Sequence, residues 1–137
     1  MNIVLDTNIL VSGLLTPFGA CGEIVRMVSS AELCLSLDAR ILTEYREVLA
    51  RPKFNFDQDK VGALLDYIEY RGQTVASSPL RKSLPDLDDE AFLEVAIASK
   101  ATCIVTGNHV HFPADLCLGV KVFLPGDFLA FYKNSKE

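Results

Sequence analysis

A chain of 137 residues with 50% hydrophobic and 23% charged side chains is long enough for one buried core and too apolar for a disordered segment. Its formal net charge of −5 argues against nucleic-acid binding by broad phosphate neutralisation, although acids grouped around divalent cations escape that objection, because the ions attract phosphate themselves. Four cysteines (Cys21, Cys34, Cys103 and Cys117) form no Cys-x-x-Cys pair, which argues against a zinc ribbon or disulfide framework and fits a reducing cytoplasm.

The elements follow in chain order. Ile3–Asp6 is apolar and β-branched, a buried-strand pattern. Asn8–Leu15 and Cys21–Ser30 carry apolar residues at helical spacing, separated by Pro17 and Gly19. Leu33–Leu37 predicts a second strand, with Cys34 a buried thiol. Asp38 or Ser36 starts the next helix, where Ile41, Leu42, Tyr45, Val48 and Leu49 repeat at the three-to-four residue period until Pro52. Asp57 or Asp59 opens another helix along Val61, Leu64, Leu65 and Ile68, stopped by Gly72. Thr74–Ala76 predicts a short strand, and the Ser- and Pro-rich stretch 77–87 a loop. Asp88 and Asp89 precede the apolar helix face of Phe92, Leu93, Val95, Ala96 and Ile97. Thr102–Thr106 predicts a strand with Cys103 buried, Gly107-Asn108 a turn, Val120–Leu124 the last strand, and Pro125 the start of a short helix. Phe54, Phe56, Phe128, Phe131 and Tyr132, with the apolar face of 60–70, are expected in the core.

Strands alternating with helices predict a mainly parallel sheet flanked by helices on both faces, a three-layer α/β/α fold in a single domain over residues 1–137. No apolar stretch approaches the ~20 residues of a membrane span. Asp6 interrupts the first apolar run and no basic segment precedes it, so no leader is expected.

In open parallel sheets, sites form beyond the carboxyl ends of the strands. That places Asp6 and Asn108 at one edge, with Glu44 and the Asp88-Asp89 pair leaning toward it from helix starts. Carboxylates gathered without a cation repel and raise one another's pKa, whereas Mg²⁺ and Mn²⁺ prefer oxygen ligands. Each residue also has an ordinary reading. Asp6-Thr7-Asn8 suits a helix cap, Glu44 suits an i−4 pair with Arg40, Asp88 and Asp89 suit a helix first turn, and Asn108 suits a turn. His109 and His111 read as loop residues rather than ligands, for want of a third ligand at suitable spacing.

Four segments then carry a resemblance: Val4-Leu5-Asp6-Thr7-Asn8-Ile9-Leu10-Val11-Ser12, Ile41-Leu42-Thr43-Glu44-Tyr45-Arg46-Glu47-Val48-Leu49, Pro85-Asp86-Leu87-Asp88-Asp89-Glu90-Ala91-Phe92-Leu93-Glu94-Val95-Ala96, and Ile104-Val105-Thr106-Gly107-Asn108 with His111-Phe112-Pro113 behind it. In this order they resemble PIN domains, toxin-like branch, as in VapC-type toxin–antitoxin ribonucleases. The resemblance implies a PIN-like α/β/α domain that cleaves single-stranded RNA with Mg²⁺ or Mn²⁺. Asp6 matches the first metal-binding acid, Glu44 the second, and the third falls in the Asp88-Asp89 pair, with Asp89 at the better interval from Ala96. Thr7, Asn8 and Thr106 are expected as supporting residues. Asn108 stands where many members carry another Asp, which bears on any second metal. The resemblance also implies a cytoplasmic homodimer and a small antitoxin partner, with no membrane. A catalytically weak PIN-like module that binds RNA or protein is the alternative. A receiver-type regulator fits worse, because one acid rather than a pair follows the first strand.

Overall fold

The computed structural model describes residues 1–135. Five parallel strands form the sheet: β1 (Asn2–Leu5), β2 (Cys34–Leu37), β3 (Gln73–Thr74), β4 (Cys103–Val105) and β5 (Lys121–Phe123). Their spatial order is β3-β2-β1-β4-β5. Six helices flank them: α1 (Thr7–Leu15), α2 (Ala20–Ser29), α3 (Ala39–Leu49), α4 (Gln58–Arg71), α5 (Glu90–Ser99) and α6 (Pro125–Ser135). The result is the expected three-layer α/β/α arrangement.

Ile3, Val4 and Leu5 are fully buried, as are Cys103, Ile104 and Val105. Strands covered on both faces need apolar residues at every position rather than every second one, which is why these runs read as continuous. β1 pairs with β2 through Asn2↔Cys34 and Ile3↔Leu35, and with β4 through Ile3↔Cys103 to Leu5↔Val105. The ladder continues one residue further: the Asp6 amide donates to the Val105 carbonyl at 3.0 Å, and the Thr106 amide to the Phe123 carbonyl at 3.0 Å. Asp6 and Thr106 therefore leave adjacent strands at the same height. From β1 the chain winds outward to β2 and β3, then returns to lay β4 and β5 on the other side. The reversal falls between β1 and β4, where diverging connections leave a crevice.

Boundaries differ from the sequence reading where tertiary contacts decide. Of the two candidates for starting α3, Asp38 does so, its Oδ1 accepting from the Ile41 amide at 3.0 Å. Asp57, not Asp59, caps α4 in the same way, at 3.0 Å from the Asp59 amide. β3 comes one residue earlier than expected because Gly72 carries the chain straight from α4 into the strand. A Cβ there would lie 2.5 Å from the Ile68 carbonyl oxygen and 2.6 Å from a Leu37 methyl, so only glycine fits the corner. The α1–α2 corner bends by 104°, and a Cβ on Gly22 would lie 2.0 Å from the Pro17 carbonyl oxygen.

α5 packs its buried Phe92, Leu93, Val95 and Ala96 against β1, β2 and β4. Phe128 and Tyr132 of α6 join the core as expected, with Phe131 partly buried. Phe54 and Phe56 do not enter it fully; they stack on each other at 5.5 Å between centroids on a half-exposed connection. Cys34 is half-buried rather than enclosed, with its Sγ 3.4 Å from the Arg71 carbonyl. Among the described residues no single helix is long and apolar enough to cross a membrane.

Candidate metal centre at the carboxyl edge of the sheet

Asp6 sits at the first position before α1, yet its side chain makes no helix-capping hydrogen bond. Its Oδ2 instead accepts from Thr106 Oγ1 at 2.7 Å, across the β1–β4 crevice. Both residues are buried, Thr106 completely. Burial raises the Asp6 pKa, and the Thr106 bond, the nearby Thr7 and Asn8 amides and the charge of His111 only partly offset it. Those two amides are near enough to matter without being aligned as cap bonds.

Glu44 projects from α3 toward the same point. It does not pair with Arg40; Thr7 Oγ1 donates to Glu44 Oε2 instead. Burial raises its pKa, the Thr7 bond opposes that, the charges of Asp6 and Asp88 raise it further, and the charge of Arg51 lowers it slightly. The next residue, Tyr45, is fully buried and donates its phenol to the Leu5 carbonyl at 2.5 Å, fastening α3 to the end of β1 next to Asp6.

The Asp88-Asp89 pair separates by burial. Both lie in a 3-10 turn, Leu87–Asp89, that precedes α5, so neither belongs to the helix itself. Asp88 is exposed and Asp89 is 8% exposed. Burial, then the charges of Asp6 and Asp86, push the Asp89 pKa up to about 6, with the neighbouring His111 partly opposing them. Asp89 Oδ2 is buried and lacks an aligned hydrogen bond; its close neighbour is His111 Nδ1 at 3.0 Å.

The loop after β4 supplies the remaining groups. Asn8 Oδ1 accepts from the Gly107 amide at 3.4 Å, and the Asn108 amide nitrogen donates to Thr106 Oγ1 at 3.1 Å. The Asn108 side chain turns to His111 Nε2 at 3.0 Å rather than to any carboxylate. The structure thus brings Asp6, Glu44, Asp88 and Asp89 into one electrostatic neighbourhood, with Thr7 and Thr106 bonded to its acids.

Two groups stand apart from the sequence reading. Sequence spacing offers His111 no third ligand, whereas in the fold Asp86, Asp89 and His111 each place a ligand atom within 4.8 Å of the others. The sequence signal was its place just after β4, at the sheet edge. Glu94 is buried and ion-paired with Arg40 Nη1 at 2.9 Å, while the same guanidinium reaches Asp38 at 2.7 Å and Ser77 Oγ at 3.0 Å. A charge inside the apolar run Leu93–Val95 was the available sign. That is why Arg40 is committed elsewhere and Glu44 is left to the site.

These residues fit a divalent cation. Several carboxylates share one partly enclosed edge with raised proton affinities, and no Lys or Arg is paired with Asp6, Glu44 or Asp89 among the described residues. Burying acids together costs free energy that a cation offsets.

Comparisons with known proteins bear on the family and the fold. The PIN domain family model matches residues 2–110. A chain of VapBC2 from Rickettsia felis, solved bound to a DNA fragment from their promoter, superposes with a TM-score of 0.62 at 17% identity, covering 90% of this chain and 98% of that one. No curated protein sequence matches. With a family model spanning four of the five strands and every acid of the site, the chain belongs to the PIN domain family, whose members are generally nucleases.

Proposed function

We propose that the protein is a metal-dependent endoribonuclease that hydrolyses phosphodiester bonds of single-stranded RNA. The observation that carries this reading is that Asp6 raises the proton affinity of both Glu44 and Asp89 across the β1–β4 crevice, with no Lys or Arg ion-paired to any of the three among the described residues. Asp6 and Asp89 would hold Mg²⁺ or Mn²⁺, and Glu44 would be a further ligand or orient a water. Exposed Asp88 lies at the rim, where it acts on Glu44 through charge. A divalent ion in such a site lowers the pKa of bound water and stabilises charge developing on phosphate. Thr106 and Thr7 hold the Asp6 and Glu44 carboxylates in one orientation, which spares the site reorganisation as charge develops. Tyr45 fixes the end of β1 on which Asp6 stands.

The fold shared with a chain of the VapBC2 complex supports, as part of the same proposal, a toxin role with a small antitoxin partner. A cytoplasmic homodimer belongs to the proposal by family resemblance. The test is incubation of 5′-labelled single-stranded RNA with Mn²⁺ or Mg²⁺. Wild type should cleave and leave 5′-phosphate ends, and Asp6→Asn should be at least about a hundredfold slower. Equal cleavage by the two proteins would remove Asp6 from the mechanism.

A second reading, a PIN-like module that binds RNA or protein without cutting, is favoured by Asn108. Its amide is uncharged and already engaged with His111. Calorimetry that finds no Mn²⁺ or Mg²⁺ binding at millimolar metal would support it.

A further inference from the structure

His111 has two ring nitrogens, and each faces one polar group. Nε2 lies 3.0 Å from the Asn108 amide, and Nδ1 lies 3.0 Å from Asp89 Oδ2 without the alignment of a hydrogen bond. An ordinary histidine–aspartate pair would point an N–H at the carboxylate. Here the two atoms stand side by side, and an oxygen of the exposed Asp86 lies within 4.8 Å of both residues' ligand atoms. Ligands at about 2.1 Å on an octahedral ion lie roughly 3 Å apart when adjacent and about 4.2 Å apart when opposite. The 3.0 Å between His111 Nδ1 and Asp89 Oδ2 matches adjacent ligands, and the whole group lies within 4.8 Å.

We infer that His111 is a nitrogen ligand of the cation site at Asp89, locked in orientation by Asn108, and that it biases the site toward Mn²⁺ over Mg²⁺. The inference rests on the metal-dependent reading above. A ligating Nδ1 keeps its lone pair free, so the ring proton sits on Nε2 and the Asn108 amide turns Oδ1 toward it. That amide has the same outline with nitrogen and oxygen exchanged. Holding the distal ring nitrogen is how proteins fix histidine ligands. Asn108 then has a defined role despite lacking charge: it delivers an imidazole rather than serving as a weak substitute acid. Imidazole suits first-row transition ions, whereas Mg²⁺ favours an all-oxygen shell.

The experiment titrates Mn²⁺ and Mg²⁺ separately into wild type, His111→Ala and Asn108→Leu by calorimetry, and records electron spin-echo modulation of the Mn²⁺-loaded wild type. Wild type should show nitrogen coupling from an imidazole. His111→Ala should lose that coupling and about tenfold or more in Mn²⁺ affinity, while its Mg²⁺ affinity changes by less than about threefold. Asn108→Leu should weaken Mn²⁺ in the same direction. Because His111 is half-exposed, both variants should fold; if one does not, the wild-type spectrum decides. Binding of both metals with no nitrogen coupling, or equal losses for both metals in His111→Ala, overturns the inference and leaves the carboxylate site standing. Binding of neither metal by wild type overturns both.

Discussion

The two arms of the site are built differently. On the Asp6–Glu44 arm each carboxylate accepts a hydrogen bond from a threonine hydroxyl, Thr106 or Thr7, on an element that the sheet already fixes. On the Asp89 arm the carboxylate is just as buried as Asp6, yet one oxygen has only an unaligned imidazole beside it. On the first arm a threonine hydroxyl holds each acid before any ligand arrives, although burial still raises both pKa values. The second lacks such a hydroxyl, and its pKa is pushed up to about 6. The lesson is that proteins can pre-organise part of a cation site and leave the rest dependent on the cation.

Replacing the strained carboxylate should break the comparison most visibly. Asp89→Asn should lower cleavage of single-stranded RNA by about a thousandfold. Yet the metal-free variant should melt at a higher temperature than wild type at pH 7, because an amide carries no buried charge. A gain of roughly 1–2 kcal/mol is expected after allowing for solvent screening. A melting temperature below wild type would mean that Asp89 is satisfied after all.

The second test is pH. A raised folded-state pKa means that the native protein holds the Asp89 proton more tightly than the unfolded chain does. The stability from that proton is therefore complete below about pH 4, the ordinary carboxylate value, and is lost as pH rises through about 6. Chemical denaturation of metal-free protein should show this decline, and Mn²⁺ should restore the lost stability at pH 7. The same proton competes with metal, so Mn²⁺ affinity should fall as pH drops below 6.

Smaller effects probe the satisfied arm. Tyr45→Phe should cost about 1–2 kcal/mol in urea denaturation, since it removes a buried hydrogen bond to the Leu5 carbonyl. Thr106→Val should cost about 1 kcal/mol and raise the Asp6 pKa, measured by carboxyl NMR titration, whereas Thr106→Ser should retain the bond. Asp88→Asn should be the mildest, changing cleavage less than about threefold, because Asp88 is exposed and reaches the site only through charge.

Much of this was legible in the sequence. The buried parallel strands read as unbroken apolar runs, and the rule that sites lie beyond strand carboxyl ends selects Asp6 and Asn108 from the sequence alone. The resemblance to PIN domains, through the interval to Ala96, points to Asp89 before Asp88; in the fold Asp89 is the buried one and Asp88 the exposed one. What stayed hidden depended on side-chain direction. Whether Asp6 caps α1 or turns to Thr106 depends on a residue a hundred positions away. Arg40 stands at the spacing of a Glu44 partner, but the buried Glu94 on another helix claims it. His111 lacked a nearby ligand along the chain because Asp86 and Asp89 reach it only through the fold. Local spacing has no access to such long-range partners.

The central claim is that cations complete the Asp89 arm and that cleavage depends on it. The direct measurement is single-turnover cleavage of labelled single-stranded RNA by wild type and Asp89→Asn, each stripped with EDTA and then given Mn²⁺. The account predicts no cleavage by stripped wild type, full recovery on adding Mn²⁺, and no recovery in Asp89→Asn. Cleavage that survives EDTA, or recovers equally in Asp89→Asn, would contradict it.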